Sequence, residues 1–273
     1  MSFEKKLRAR AEATDSLLCV GLDPVRVKGG ELAAWGINII SQTHPYVCAF
    51  KPNLAFYEAQ GQQGLAALEA TLEYLRAEHP DIPIIGDAKR GDIGSTSEAH
   101  ARYLFDHFGF DAVTLNPYLG YDSLAPFIER EDKGSIIVCR TSNPGADEFQ
   151  MLEVEGTPLW ERILAVVAEQ WNTRGNCSAV IGATRPDDLR RARKIVGPEM
   201  IFLVPGVGAQ GGDVEAVVRA GVGENAGNIS AFGNLVINSS RGITNSPDPS
   251  RTAEELSNQI KEATPTVRRE RPL

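Results

Sequence analysis

Ile82-Pro83-Ile84-Ile85-Gly86-Asp87-Ala88-Lys89-Arg90-Gly91-Asp92 is an apolar run that ends in a cluster of charges. The apolar half predicts a buried β-strand over residues 82–87. Because side chains alternate between the two faces of a strand, Asp87 and Lys89 are expected to point into the same space. Asp92 adds a second carboxylate just beyond them. The simplest interpretation is a surface salt-bridge cluster, and the position of the motif in the fold has to decide whether a functional one is better.

Similar apolar runs occur along the whole chain, and helical stretches separate them. Runs that are continuously apolar, instead of alternating, are typical of parallel strands that are buried on both faces. The pattern therefore predicts an α/β fold, a (β/α)8 TIM barrel, ahead of an open doubly wound sheet. Residues 1–273 are expected to form this one domain, with a short disordered tail from about residue 264. The predicted strands are residues 17–22, 46–50, 82–87, 112–115, 135–139, 179–183, 200–204 and 235–238.

Composition excludes several classes of partner. The formal net charge of −8 argues against nucleic acid and against anionic membranes, because both attract basic surfaces. The sequence contains no apolar run long enough to span a membrane and no signal-peptide pattern at its start, so a cytoplasmic location is expected. The four cysteines lie in or beside apolar runs and lack C-x-x-C spacing, which predicts reduced thiols packed in or near the core.

Polar residues gather where the predicted strands end. In a TIM barrel these carboxyl ends meet at one mouth, where the active site lies. A single polar residue at such a position often only solvates a loop, whereas several together predict a site. The residues at these ends are Asp23, Lys51, Asp87 with Lys89, Thr141 with Ser142, and Arg241.

A phosphate site is predicted after the last two strands. Glycines at 206, 208, 211 and 212 would let backbone N–H groups approach an anion, and Arg241 could grip phosphate oxygens in a bidentate manner. Neither the P-loop motif nor the dinucleotide-binding glycine motif is present. The expected ligand is therefore a phosphomonoester.

Two connections at the mouth have a predicted conformation. Ser95-Thr96-Ser97-Glu98 has the pattern of a capping box, which predicts that Ser95 caps a helix running to about Phe108. The polar segment 143–157 is too long and patternless for a tight connection. It is either a mobile lid over the site or a static surface loop, and the sequence leaves both open.

Several segments closely resemble the orotidine 5′-phosphate decarboxylase family, in particular its longer bacterial form (type 2 subfamily). The matching segments run from Asp23 to Arg241. Those that carry the resemblance are Asp87-Ala88-Lys89-Arg90-Gly91-Asp92-Ile93-Gly94-Ser95-Thr96, Phe50-Lys51-Pro52-Asn53, Pro205-Gly206-Val207-Gly208-Ala209-Gln210 and Asn238-Ser239-Ser240-Arg241.

The resemblance implies a TIM-barrel lyase that needs no metal and no organic cofactor. The implied reaction converts orotidine 5′-phosphate into uridine 5′-phosphate and CO2, the last step of de novo pyrimidine (UMP) biosynthesis. The resemblance also implies a homodimer, in which Asp92 and Thr96 of one subunit reach into the site of the other.

The resemblance further implies a role for individual residues. Lys89 would protonate C6 of the pyrimidine, Asp87 would lie against the departing carboxylate, and Lys51 would complete the catalytic charge array with Asp92. Asp23 would bind ribose, as would Lys51, and Ser142 would contact the pyrimidine. The remaining expected substrate contacts are Thr96, Pro205, Gln210, Ser240 and Arg241, of which Gln210 and Arg241 would hold the phosphate.

Two other interpretations remain at this point. A related sugar-phosphate enzyme could use the same barrel with a metal ion that stabilises an enediolate, although Lys51 and Lys89 would place positive charge where the cation would sit. A catalytically silent nucleotide-binding protein could keep the pocket as a sensor. The intact set of Lys51, Asp87, Lys89 and Asp92 argues against this second alternative.

Overall fold

The computed structural model describes residues 1–207, 213–223 and 234–264. Its main sheet contains eight strands that pair in parallel, in the spatial order β2-β1-β8-β7-β6-β5-β4-β3. Bridges between Phe50 and Ile84 and between Asn53 and Asp87 bring the two outer strands together and nearly close the barrel. The predicted TIM barrel is confirmed. The strands are β1 Leu18–Leu22, β2 Ala49–Pro52, β3 Ile85–Arg90, β4 Ala112–Leu115, β5 Gly134–Arg140, β6 Cys177–Ile181, β7 Phe202–Pro205 and β8 Leu235–Ser239.

Helices cover the outside of the barrel. Two of them continue as π-helical segments, at Arg102–His107 and Val167–Trp171. Within the described residues, no helix is long and apolar enough to cross a membrane. The helices are α1 Phe3–Thr14, α2 Leu32–Thr43, α3 Leu54–Glu58, α4 Gly61–Glu78, α5 Gly94–Ala101, α6 Tyr121–Ile128, α7 Asp147–Gln150, α8 Leu159–Val166, α9 Pro186–Val196, α10 Val214–Val222, α11 Arg241–Thr244 and α12 Pro249–Ala263.

The core lies inside the barrel and between the barrel and its helices. Every residue of β1, β2, β4, β6 and β8 is buried, as expected for parallel strands that are covered on both faces. Gly86 shows how close the packing is, because a Cβ atom there would lie 2.7 Å from the ring of Phe110. The four cysteines are buried free thiols, which confirms that prediction.

Several strand boundaries differ from the sequence prediction, and the second and third strands differ most. The third strand runs over Ile85–Arg90 instead of residues 82–87, because the N–H of Ile84 donates to the Asp111 carboxylate (2.8 Å) instead of to a ladder partner. The second strand starts at Ala49, because residues 44–46 form a 3₁₀ turn around a proline. Both shifts move the strands toward the mouth of the barrel. Asp87, Lys89 and Arg90 consequently belong to β3 itself, whereas Asp92 follows it.

The predicted capping box does not form. Helix α5 begins at Gly94, its N-cap residue is Ile93, and no side chain caps it. The carboxylate of Asp92 accepts the N–H of Ile93 (2.8 Å), and Gly94 has a φ of +52°. This local turn starts the helix before Ser95, which therefore cannot occupy the cap position.

Candidate active site

The carboxyl ends of the first three strands place charged residues side by side. In the β1–β2 pair Gly21 lies opposite Lys51, and the bridge between Asn53 and Asp87 sets β2 against β3. Lys51 on β2 and Asp87 on β3 are thus neighbours across the sheet, although 36 residues separate them in the chain. The barrel converts scattered charges into one cluster.

Asp87 is the centre of this cluster. One of its carboxylate oxygens, Oδ2, accepts a hydrogen bond from Lys51 Nζ at 2.9 Å, and the other, Oδ1, accepts one from Lys89 Nζ at 2.6 Å. Asp87 and Lys89 therefore point to the same side, as the sequence predicts. The three side chains form a continuous chain of charges in the order Lys51, Asp87 and Lys89.

Burial and charge act in opposite directions on this cluster. Burial disfavours the charged form of Asp87, but the ammonium groups of Lys51 and Lys89 outweigh it and hold the pKa of Asp87 well below its usual range. For Lys51, burial would lower the pKa, and the carboxylates of Asp87 and Asp23 raise it instead. The pair of Lys51 and Asp87 is consequently ionised across the neutral pH range.

Lys89 differs from Lys51 in its exposure. Its side chain is 51% exposed, against 5% for Lys51 and 10% for Asp87. Lys89 also has a φ of +46°, a left-handed backbone conformation that residues other than glycine rarely adopt. The β3–β4 register shifts between Gly86 and Arg90, so the strand is irregular where Lys89 leaves it. The ammonium group of Lys89 thus reaches the open space at the mouth.

The neighbouring side of the mouth is formed by β1 and β8. Ser240 Oγ donates to Asp23 Oδ2 at 2.5 Å, and Asp23 Oδ1 is a buried atom without a hydrogen-bond partner among the described residues. A Cβ atom at Gly21 would lie 2.8 Å from the Cβ of Ser240, so only glycine allows this close approach. Asp23 thus combines one bonded oxygen with one that is available to a ligand hydroxyl.

The other predicted site residues lie around the same mouth, with one outside the described part. Ser142 follows β5 and lies against Gly182, where an added Cβ atom would come within 3.0 Å of the Ser142 Cβ. Pro205 ends β7. Arg241 begins α11, is exposed, and has no side-chain hydrogen bond or ion pair with the described residues. Gln210 and the glycines at 208, 211 and 212 lie outside the described residues.

Asp92 and Thr96 are not part of this cluster. The Asp92 carboxylate bonds only its neighbour's N–H within the described part of the chain, and Thr96 is exposed on α5. Within the described part of the chain, the Lys89 ammonium group bonds Asp87 and neither Asp92 nor Thr96.

A residue that the sequence reasoning missed lies directly behind Asp87. Thr114 on β4 is buried, and its hydroxyl donates to Asp87 Oδ1 at 2.9 Å. A signal was present, because Thr114 is the polar residue of the otherwise apolar run 112–115. Strand pairing was needed to show which carboxylate it meets.

Comparison with known proteins identifies the family. A profile of the orotidine 5'-phosphate decarboxylase / HUMPS family matches residues 16–256. The chain belongs to this family. The orotidine 5'-phosphate decarboxylase of Azoarcus sp. (strain BH72) is 46% identical over 251 residues, which cover 89% of this chain and 90% of that protein. The structure of Leishmania donovani OMP decarboxylase superimposes with a TM-score of 0.87 at 39% identity and covers 96% of this chain and 98% of its own.

In this member of the decarboxylase family, a buried arginine ties down residues 143–157, which we call the β5–α8 segment. Arg140 is 1% exposed and donates to Asp188 (2.7 Å), Asp147 (2.8 Å) and Gln150 (3.3 Å). The last two belong to α7, which lies within the segment. The same segment contains a small antiparallel hairpin at Glu153–Val154 and Thr157–Pro158. The segment is therefore folded and anchored to α9.

Proposed function

We propose that this chain catalyses the decarboxylation of orotidine 5′-phosphate to uridine 5′-phosphate and CO2. The observation that carries the proposal is the Asp87 carboxylate held between Lys51 and Lys89 at the mouth of a barrel of this family. The longer bacterial form of the family and a cytoplasmic location stay predictions from the sequence.

Lys89 is the proposed proton donor. The bond between C6 and the carboxylate carbon breaks, CO2 leaves, and the electron pair stays on C6. The proton of the Lys89 ammonium group then moves to C6, which gives uridine 5′-phosphate and a neutral amine that water protonates again. The half-exposed position of Lys89 supports this role, because its ammonium group reaches the space at the mouth while still bonded to Asp87.

The charges around C6 favour the transition state over the bound substrate. Asp87 would repel the carboxylate of the bound substrate, and Lys89 would attract the negative charge that develops on C6. At an effective dielectric constant of about 20, two unit charges about 4 Å apart interact by about 4 kcal/mol. At about 1.4 kcal/mol per tenfold change in rate, one such interaction supplies about a thousandfold. The repulsion between Asp87 and the substrate carboxylate therefore cannot alone explain a demanding decarboxylation. The attraction between Lys89 and the charge on C6 must contribute at least as much.

The rest of the substrate would lie along the mouth. Asp23, with Lys51 beside it, is proposed to bind the ribose, and the available Oδ1 of Asp23 supports this. Ser142 is proposed to contact the pyrimidine. Arg241, which has no side-chain partner within the described residues, is proposed to hold the phosphate. The remaining proposed substrate contacts are Thr96, Pro205, Gln210 and Ser240.

We also propose that two copies of the chain associate, so that Asp92 of each completes the charge array of the other. Exposed apolar side chains next to Asp92 support this, since such a patch is typical of an interface. The patch spans two loops that touch, because a Cβ atom at Gly91 would lie 2.6 Å from the carbonyl oxygen of Asn116. The patch residues are Ile93, Tyr118, Leu119 and Tyr121.

The reaction is tested by the change in ultraviolet absorbance when orotidine 5′-phosphate is mixed with the purified protein. We expect turnover that survives dialysis against a chelator. Activity that disappears with the chelator and returns with a divalent cation would favour the metal-dependent alternative. Binding of the nucleotide without any turnover would favour the silent binding protein.

The shared site is tested by mixing two inactive variants, Lys89→Ala and Asp92→Asn. If Asp92 serves the partner subunit, each mixed dimer contains one site with both native residues and one site with neither. Random exchange of subunits should then restore about a quarter of the native activity. A mixture that stays inactive, although mass spectrometry detects the mixed dimer, would refute the shared site.

A further inference from the structure

The Thr114 hydroxyl uses its entire hydrogen-bonding capacity on the catalytic motif. It accepts the backbone N–H groups of Ala88 at 3.0 Å and Lys89 at 2.9 Å, and it donates its proton to Asp87 Oδ1 at 2.9 Å. A hydroxyl has one proton and two acceptor positions, so nothing remains for any other partner. Its side chain is buried on β4, behind the motif.

These bonds replace backbone pairing at the point where the sheet is interrupted. The parallel ladder between β3 and β4 is regular up to Gly86 and resumes at Arg90. Between these residues, the N–H groups of Ala88 and Lys89 bond the hydroxyl instead of a carbonyl oxygen of β4. Lys89 adopts its left-handed φ of +46° within this interruption. Such a conformation is unfavourable for a lysine and persists only where surrounding contacts impose it.

The same hydroxyl also fixes the carboxylate. Asp87 Oδ1 accepts both Thr114 Oγ1 and Lys89 Nζ, so the hydroxyl and the ammonium group bond the same oxygen. Rotation of the carboxylate would break the bonds to Thr114, Lys89 and Lys51 together. Thr114 therefore constrains the backbone of Lys89 and the side chain of Asp87 at once.

We propose that Thr114 is a positioning residue for the reaction, an inference that rests on the proposed function. Its hydroxyl holds Lys89 in the left-handed conformation and Asp87 in one orientation. Its methyl group is not required for this role. The hydroxyl is required, since neither a methyl group nor a hydrogen can accept the two N–H groups.

The test compares Thr114→Val, which removes the hydroxyl at nearly constant shape, with Thr114→Ser, which keeps it. Because hydrogen bonds to charged groups are worth more than neutral ones, we expect kcat of the valine variant to fall about 10- to 100-fold. KM should change by less than about threefold, because Thr114 bonds none of the proposed ribose and phosphate contacts. Inhibition by uridine 5′-phosphate should change as little, because this product lacks the carboxylate that faces Asp87. The serine variant should recover most of kcat. Thr71→Val is the matched control, because Thr71 is also buried but, among the described residues, its hydroxyl bonds only its own helix at Ala67.

A crystal structure of Thr114→Val gives a readout that does not depend on turnover. The φ of Lys89 should leave the left-handed region, and an unchanged φ would overturn the proposal even if the wild-type chain had no decarboxylase activity. A kcat within about twofold of wild type would overturn it as well. So would an equal loss in Thr114→Ser, since that assigns the effect to methyl packing. If the valine variant does not fold, Thr114→Ser and Thr114→Ala, which differ only by the hydroxyl, give the same comparison.

Discussion

Asp87→Asn should destabilise the fold as well as stop the reaction. The substitution keeps the shape of the side chain but leaves the ammonium group of Lys51, which is 5% exposed, without its main counter-charge. At 2.9 Å and an effective dielectric constant of about 20, the lost attraction is about 6 kcal/mol. Asp23 remains as a second carboxylate that acts on Lys51, and the asparagine oxygen can still accept a hydrogen bond. We therefore expect the free energy of unfolding to fall by about 3 kcal/mol, the lower end for a broken buried pair.

A double variant separates the stranded charge from the lost contact. Lys51→Met in the Asp87→Asn background removes the unpaired ammonium group, so most of the lost stability should return while activity stays absent. Urea unfolding gives the free energies, and the absorbance of orotidine 5′-phosphate gives the activity. Glu255→Gln is the control, because Glu255 pairs with Arg251 at a similar distance, 2.8 Å, with side chains that are 57% and 75% exposed. Breaking that exposed pair should leave the free energy of unfolding nearly unchanged, because solvent screens it.

Two results would refute this reasoning. The first is an Asp87→Asn variant whose free energy of unfolding equals that of the wild type, because the buried ammonium group would then not need its partner. The second is a double variant that is no more stable than the single one, since the loss would then come from packing instead of charge.

Three further predictions follow from the same contacts. Lys89→Ala should lower kcat by at least about a thousandfold. The free energy of unfolding should change by less than about 1 kcal/mol, because the Lys89 side chain is half exposed, and urea unfolding that shows a large loss of stability would contradict this. Arg241→Ala should weaken inhibition by uridine 5′-phosphate about 10- to 100-fold and leave inhibition by uridine unchanged, and an equal effect on both would exclude a phosphate contact. The contribution of Asp87 to stability is present above its ordinary pKa of 3.8 and is lost as the pH falls, whereas that of Lys51 is present below 10.5 and is lost as the pH rises. The free energy of unfolding of the wild type relative to that of the double variant should therefore be constant from about pH 5 to 9 and fall progressively below about pH 4, because the pKa of Asp87 in the folded state lies well below its ordinary value. A relative stability at about pH 2 that equals the one at about pH 7 would contradict the assignment.

Most of the fold was predictable because it depends on local patterns. Continuous apolar runs such as Leu18–Leu22 and Cys177–Ile181 mark strands that are buried on both faces, and their alternation with helices leaves few topologies other than the barrel. Boundaries were less predictable, since they depend on individual bonds. The shift of β3 toward the mouth follows from the bond between Ile84 and Asp111, which lie 27 residues apart.

The candidate site also has a part that local sequence patterns predict and a part that depends on contacts between distant residues. The sequence by itself determined which charged residues reach the mouth of the barrel, because the carboxyl ends of all parallel strands meet there. Only the tertiary structure decided that Lys51 and Lys89 share one carboxylate, that the backbone at Lys89 is left-handed instead of extended, and that Thr114 bonds the backbone N–H groups there. These features depend on the register between neighbouring strands and on side-chain bonds that span 25 to 36 residues. Local sequence patterns carry no information about such register, whereas the closed barrel fixes it.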